Sequence, residues 1–233
     1  MNSAATGYTV PAVSCAWLYN VDLRPENTAL IGIDTQIDFC GKVGYVDAMG
    51  YDLEFARTPI ELIKTVLTAI REMGYHTTQA LKGHRSDLSH LPENKRQRSQ
   101  QIGAGIGGPG LSGKILVQGV PGRGIIEELD PEPDGIIVDK LGKGLFCTVD
   151  LASFTRSRGI QNIARTGITI ILGISATMGK GNDRGFKHLV LEKRCRAPSR
   201  GNHVAAINME KMQGGVFGLC FENQALVKGL PGT

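Results

Sequence analysis

Apolar and polar positions in this chain fall into blocks, and the blocks alternate in period. From Thr28 to Asp34 (TALIGID) a nearly unbroken apolar run predicts a strand buried on both faces of a parallel sheet. It ends at an acid, Asp34, and Asp38 and a glycine-rich stretch from Gly41 to Gly50 follow. After Pro59, Ile60, Ile63, Val66, Leu67 and Ile70 recur at helical spacing, and Gly74 closes the segment. Tyr75 to Leu81 predicts a second strand, so the two form a β–loop–α–β unit with a right-handed crossover. Residues 83–134 break the pattern. They hold a basic run (Lys95, Arg96, Arg98), the string GAGIGGPG and one short apolar segment, Lys114 to Gln118. An irregular stretch of that length predicts a functional lid or a contact between subunits.

Alternation then resumes. Strands are expected at Gly135 to Val138, Asn162 to Ile168 and Phe186 to Leu191, the second of them unusual in carrying Arg165. Helices are expected at Val149 to Arg158, Ser175 to Arg184 and Asn202 to Met212. Strand–helix alternation throughout predicts a single α/β domain over residues 26–233, its sheet covered on both faces, preceded by an arm of residues 1–25.

Composition narrows the function classes. A net charge of +4 on 233 residues is too small to argue for nucleic acid or an anionic membrane. No run approaches the ~20 apolar residues of a membrane span, and the N-terminus lacks the cationic and apolar regions of a secretory signal. Five cysteines, odd in number and irregular in spacing, point to a reducing compartment, so the expected location is cytoplasmic. Glycine is the outlier at 31 residues, about twice ordinary usage.

In α/β sheets, sites lie beyond the carboxyl ends of strands. That rule selects Asp34, Lys140 and the segment Ile170 to Ile174. A carboxylate and an ammonium converging on a helix N-terminus can move a proton, while the first helical amides stabilise an oxyanion. Each residue also has a plainer reading, Asp34 as a helix cap or turn former and Lys140 as a solvated loop lysine. No cofactor is expected, because GAGIGG does not follow a strand and open a helix as a dinucleotide loop must. No metal is expected either, since His84 and His90 lack a third ligand at matching spacing.

The segments IDTQIDFCGKVGYVDAMGYDL, GHRSDLSHLPENKRQRSQQIGAGIGGPG, IIVDKLGKGLFCTVDL, TGIT, NDRG and GNHVAAINMEKMQGGVFG together carry a family resemblance. The chain resembles the isochorismatase-like cysteine hydrolases from about Leu23 to Leu230, and within them the amidases that open biuret. The resemblance implies a three-layer α/β/α sandwich around a six-stranded, mainly parallel sheet, assembled as a homotetramer. It implies an Asp, a Lys and a Cys as the catalytic set acting on a small amide or ureide. Asp34 matches the acid/base, Lys140 the cation beside it, Gln213 a substrate-contacting amide and Phe39 a wall of the pocket. The nucleophile's position matches Gly173, in GITIILGIS. Glycine supplies no thiolate, and none of Cys15, Cys40, Cys147, Cys195 and Cys220 falls at that position.

Three functions follow as expectations. One is an amidohydrolase of the biuret-opening type whose activity is abolished or severely impaired. Another is an isochorismatase-type vinyl ether hydrolase, which needs Asp34 and Lys140 but no nucleophile. The last is a non-catalytic paralogue that binds a ligand or partner, with Lys95-Arg96-Arg98 and Lys193-Arg194-Arg196 as basic patches that otherwise read as solvated faces.

Overall fold

The computed structural model describes residues 23–131, 135–147, 150–197 and 199–221. Most of the expected N-terminal arm, with Cys15, lies outside the described residues, as does the expected start of a helix at Val149. Six strands form one wholly parallel sheet: β1 (Thr28–Ile33), β2 (His76–Lys82), β3 (Ile136–Lys140), β4 (Asn162–Ile168), β5 (Lys187–Arg196) and β6 (Leu219–Phe221). Their order is β3-β2-β1-β4-β5-β6, so the winding reverses between β1 and β4. Helix Ile60–Glu72 covers one face through Ile60, Ile63, Val66, Leu67 and Ile70. Helices Leu151–Ser157, Ser175–Asn182 and Arg200–Lys211 cover the other, contributing Leu151, Met178, Ala206 and Ile207 to the second core. The sheet covered on both faces that the alternation predicts, and the three-layer α/β/α sandwich that the resemblance implies, are therefore the observed fold.

Two glycines show why that residue is abundant near the switch in winding. A Cβ on Gly167 would lie 2.1 Å from the Ile33 carbonyl oxygen, and its φ of +123° suits glycine alone. A Cβ on Gly144 would lie 2.7 Å from the Ala176 carbonyl oxygen, so the loop after β3 can seat directly on helix Ser175–Asn182. The Leu145 amide completes that junction by donating to Thr177 Oγ1 at 3.1 Å.

The long region after β2 corrects the sequence reading. It contains a nine-residue helix, Glu93–Gln101, and two 3-10 turns, Pro121–Arg123 and Glu127–Leu129. It is tied to the loop after β1 by a bridge at Gln36–Ile125 and closed on itself by one at His84–Val117. Asp38 anchors the same junction, its Oδ2 accepting from the Leu116 amide at 2.9 Å. The helix escapes periodicity because ENKRQRSQQ is polar all round.

Candidate active site

Asp34 follows β1 with a left-handed backbone, φ +56°, a conformation that costs a non-glycine residue free energy and concentrates at functional sites. Its amide donates to the Ala80 carbonyl of β2 at 2.9 Å, which fixes the turn. Lys140, the last residue of β3, reaches beneath β2 so that its Nζ lies 2.7 Å from Asp34 Oδ2. Both are deeply buried, Asp34 at 4% exposure and Lys140 at 1%. The plainer readings, a capping Asp and a solvated Lys, are thereby excluded by geometry. Burial pushes the Asp34 carboxyl above its usual range, and the Lys140 charge partly offsets that push. Asp34 Oδ1 has no protein partner.

Gly173 stands across the switch point, in a π-turn (Ile170–Ile174) that leads from β4 into helix Ser175–Asn182. A Cβ at Gly173 would sit 3.1 Å from Asp34 Oδ2, 3.0 Å from Ile33 Cγ2 and 3.9 Å from the Lys143 carbonyl oxygen. Asp34, Lys140 and Gly173 thus converge, although they lie on three separate segments. The amides of Leu172, Gly173 and Ile174 all donate to the Thr169 carbonyl, at 3.3, 3.1 and 3.5 Å. These three amides precede the helix and are taken up inside the π-turn. Ser175 Oγ lies 2.8 Å from the Ile170 carbonyl oxygen and 3.0 Å from Glu210 Oε1, so its hydroxyl is held in the helix junction.

Phe39 is buried edge-on to Tyr45, ring centroids 5.3 Å apart, in a small core with Leu91, Ile106 and Leu116 under the long region. Gln213 is exposed, in a left-handed turn (φ +53°) after helix Arg200–Lys211. Among the described residues no hydrogen bond joins it to Asp34. Burial pushes the thiols of Cys40 and Cys220 up to about 12, and that of Cys195 higher, so these three are protonated and unreactive. Cys147 is exposed on the turn after Gly144. His84 and His90 stack on each other, Nδ1 to Nε2 3.1 Å.

Two features escaped the sequence. Lys82 closes β2 and is the register partner of Lys140, and its ammonium interacts with Asp34. Applying the strand-end rule to β2 as well would have found it. The other is the partner of Arg165, which is fully buried in the central strand. Its Nη1 donates to the Ile174 carbonyl at 2.8 Å and its Nη2 lies 3.9 Å from Glu210 Oε2, itself buried on helix Arg200–Lys211. In the basic patches Arg98 and Lys193 are exposed, while three other residues make protein contacts. Lys95 donates to the Leu141 carbonyl, buried Arg194 donates to the Leu62 carbonyl at 2.9 Å, and Arg196 donates to Thr58 Oγ1 at 2.9 Å.

A parallel sheet whose winding reverses at a buried Asp–Lys pair defines an α/β enzyme scaffold with its site at the switch point. The isochorismatase domain family matches residues 28–218, and the chain belongs to that family. It is 27% identical over 201 residues to the ureidoacrylate amidohydrolase of Agrobacterium fabrum, covering 84% of this chain and 88% of that one. A cysteine hydrolase from Pseudomonas syringae superposes with a TM-score of 0.73 at 21% identity, over 89% of this chain and 93% of its own. The N-carbamoylsarcosine amidase of Thermoplasma acidophilum gives 0.63 at 17% identity, over 84% and 95%. No described helix is long and apolar enough to cross a membrane.

Proposed function

We propose that this chain carries the site of an amide or ureide hydrolase, with Asp34 as acid/base and Lys140 as the cation beside it. Gly173 occupies the position of the nucleophile. The observation that carries the reading is the 3.1 Å between Asp34 Oδ2 and a Cβ built on Gly173. A thiol at that position would lie beside the carboxylate that must take its proton. With glycine there, thioester formation has no attacking atom, and hydrolysis stops at its first step. Biuret and related small ureides are the substrates this reading favours, in a cytoplasmic homotetramer, as the resemblance implies. Ammonia release from biuret is expected to fall by about 10⁶-fold or more relative to a Cys-bearing relative, the cost of losing a nucleophile in a catalytic triad. Gly173→Cys followed by the same assay is the test. Restored ammonia release supports the reading; continued silence from a folded variant overturns it.

A second reading rests on the raised proton affinity of Asp34. Burial raises the proton affinity of Asp34, and a carboxyl that hands a proton to a vinyl ether needs no covalent nucleophile. Under that reading the unaltered chain releases pyruvate from isochorismate, and its failure to do so ends the idea.

A further inference from the structure

Position 173 offers no nucleophile, but an amine stands at the next strand end. Lys82 closes β2 and is the register partner of Lys140, which closes β3, so the two side chains leave adjacent parallel strands on the same face of the sheet. Lys140 Nζ is held by Asp34 Oδ2 at 2.7 Å. Lys82 is half-buried, and among the described residues its Nζ has neither a carboxylate within salt-bridge distance nor a hydrogen-bond acceptor. Its backbone, by contrast, is fixed from both sides by Gln36, whose Oε1 accepts from the Lys82 amide at 2.6 Å and whose Nε2 donates to the Lys82 carbonyl at 3.0 Å. Asp34 interacts with both ammonium groups, and its Oδ1 is buried with no partner among the described residues. A buried carboxylate oxygen left without a donor costs free energy unless a ligand supplies one.

A lysine is a nucleophile only when its lone pair is free, and desolvation and a neighbouring cation both free it. Lys82 has both. Burial and then the charge of Lys140 push its ammonium down to about 8; Asp34 pulls the other way, and Lys95 and Lys143 add smaller downward pushes. His84, pushed down to about 4 chiefly by burial, is neutral near pH 7 and adds no charge. We propose that Lys82 is a carbonyl-capturing amine, forming an imine with a small aldehyde or ketone while Asp34 carries the protons. The amine's lone pair makes the C–N bond. The carbonyl oxygen receives both amine protons in turn through Asp34 and leaves as water. Amine and carbonyl compound thus give imine and water, with no oxidant or reductant. This activity needs nothing from position 173, and it stands or falls apart from amide hydrolysis.

The test is reductive trapping of the full chain with propanal and cyanoborohydride at pH 7, the hydride converting an imine into a stable secondary amine that peptide mapping locates. At that pH an amine of about 8 is neutral roughly 300-fold more often than one at the ordinary 10.5, and its lower intrinsic nucleophilicity gives back only part of this. Lys82 is therefore expected to be propylated at least about tenfold faster than the exposed Lys64 and Lys193, and only when the reductant is present. Lys82→Arg is expected to abolish the fast labelling. Asp34→Asn removes the charge that keeps Lys82 protonated, so it raises the neutral fraction, yet trapping at Lys82 is expected to slow several-fold because the proton carrier is gone. Labelling of Lys82 no faster than that of Lys64 and Lys193, or fast labelling that survives Lys82→Arg, overturns the proposal. Faster trapping in a folded Asp34→Asn variant overturns the part given to Asp34; where that variant does not fold, the site map of the parent and of Lys82→Arg decides.

Discussion

At Gly173 the absence of a side chain is a chemical fact before it is a structural one. Its φ is ordinary and a Cβ there meets Ile33 Cγ2 and Asp34 Oδ2 at 3.0 and 3.1 Å, contacts relieved by shifts of a few tenths of an ångström. Gly173→Cys is therefore expected to fold, with a thermal midpoint within a few degrees of the parent. The Asp34–Lys140 pair behaves differently. Asp34→Asn leaves a buried ammonium without its counter-charge, and urea denaturation at pH 7 is expected to show a loss of about 3–5 kcal/mol. Adding Lys140→Met is expected to return part of it, because the two changes share one interaction. Lys82 gives a pH signature. Its folded value of about 8 lies below the ordinary 10.5, so between those values the unfolded chain holds more protons and stability rises with pH. Below about pH 8 the charged form carries the full cost. Urea midpoints at pH 7 and 9.5 are expected to diverge for the parent and less for Lys82→Gln.

Among the elements, the strands with long apolar runs were legible because a parallel sheet buries both faces: β1 and β4 stand nearly where the runs of TALIGID and NIARTGI place them. Others were not legible, among them helix Glu93–Gln101 and β6. Helix Glu93–Gln101 buries only Ser99, so no apolar stripe marks it, and β6 is three residues held by the neighbouring strand. The site followed the same logic. Asp34 and Lys140 stood out as polar ends of apolar strands, whereas nothing local to Arg165 announces Glu210, 45 positions away, as its partner. That buried pair braces the π-turn through the Ile174 carbonyl and Ser175. At the strand junction, Gly167→Ala is expected to prevent soluble expression, since its Cβ would overlap the Ile33 carbonyl at 2.1 Å. Gly50→Ala, with φ +74° and nothing within 4 Å, is expected to cost only about 1–2 kcal/mol on urea denaturation.

For the whole molecule, the expectation of a homotetramer predicts a light-scattering mass four times that of the 25.0 kDa chain. Among the described residues, Leu111, 78% exposed, and Ile102 are the most exposed large apolar side chains, and both belong to the long region after β2. Leu111→Glu with Ile102→Glu is expected to lower that mass while leaving the circular dichroism spectrum unchanged.

The reversal of winding between β1 and β4 has a consequence for descent. Asp34, Lys82 and Lys140 come from the first half of the sheet, and Gly173 comes from the second. The ion pair is complete without anything residue 173 supplies. A lineage can therefore change residue 173 in one step and still inherit the fold and its buried ion pair. What stands at 173 and what holds the pair together are separable traits in this architecture, free to change at different times.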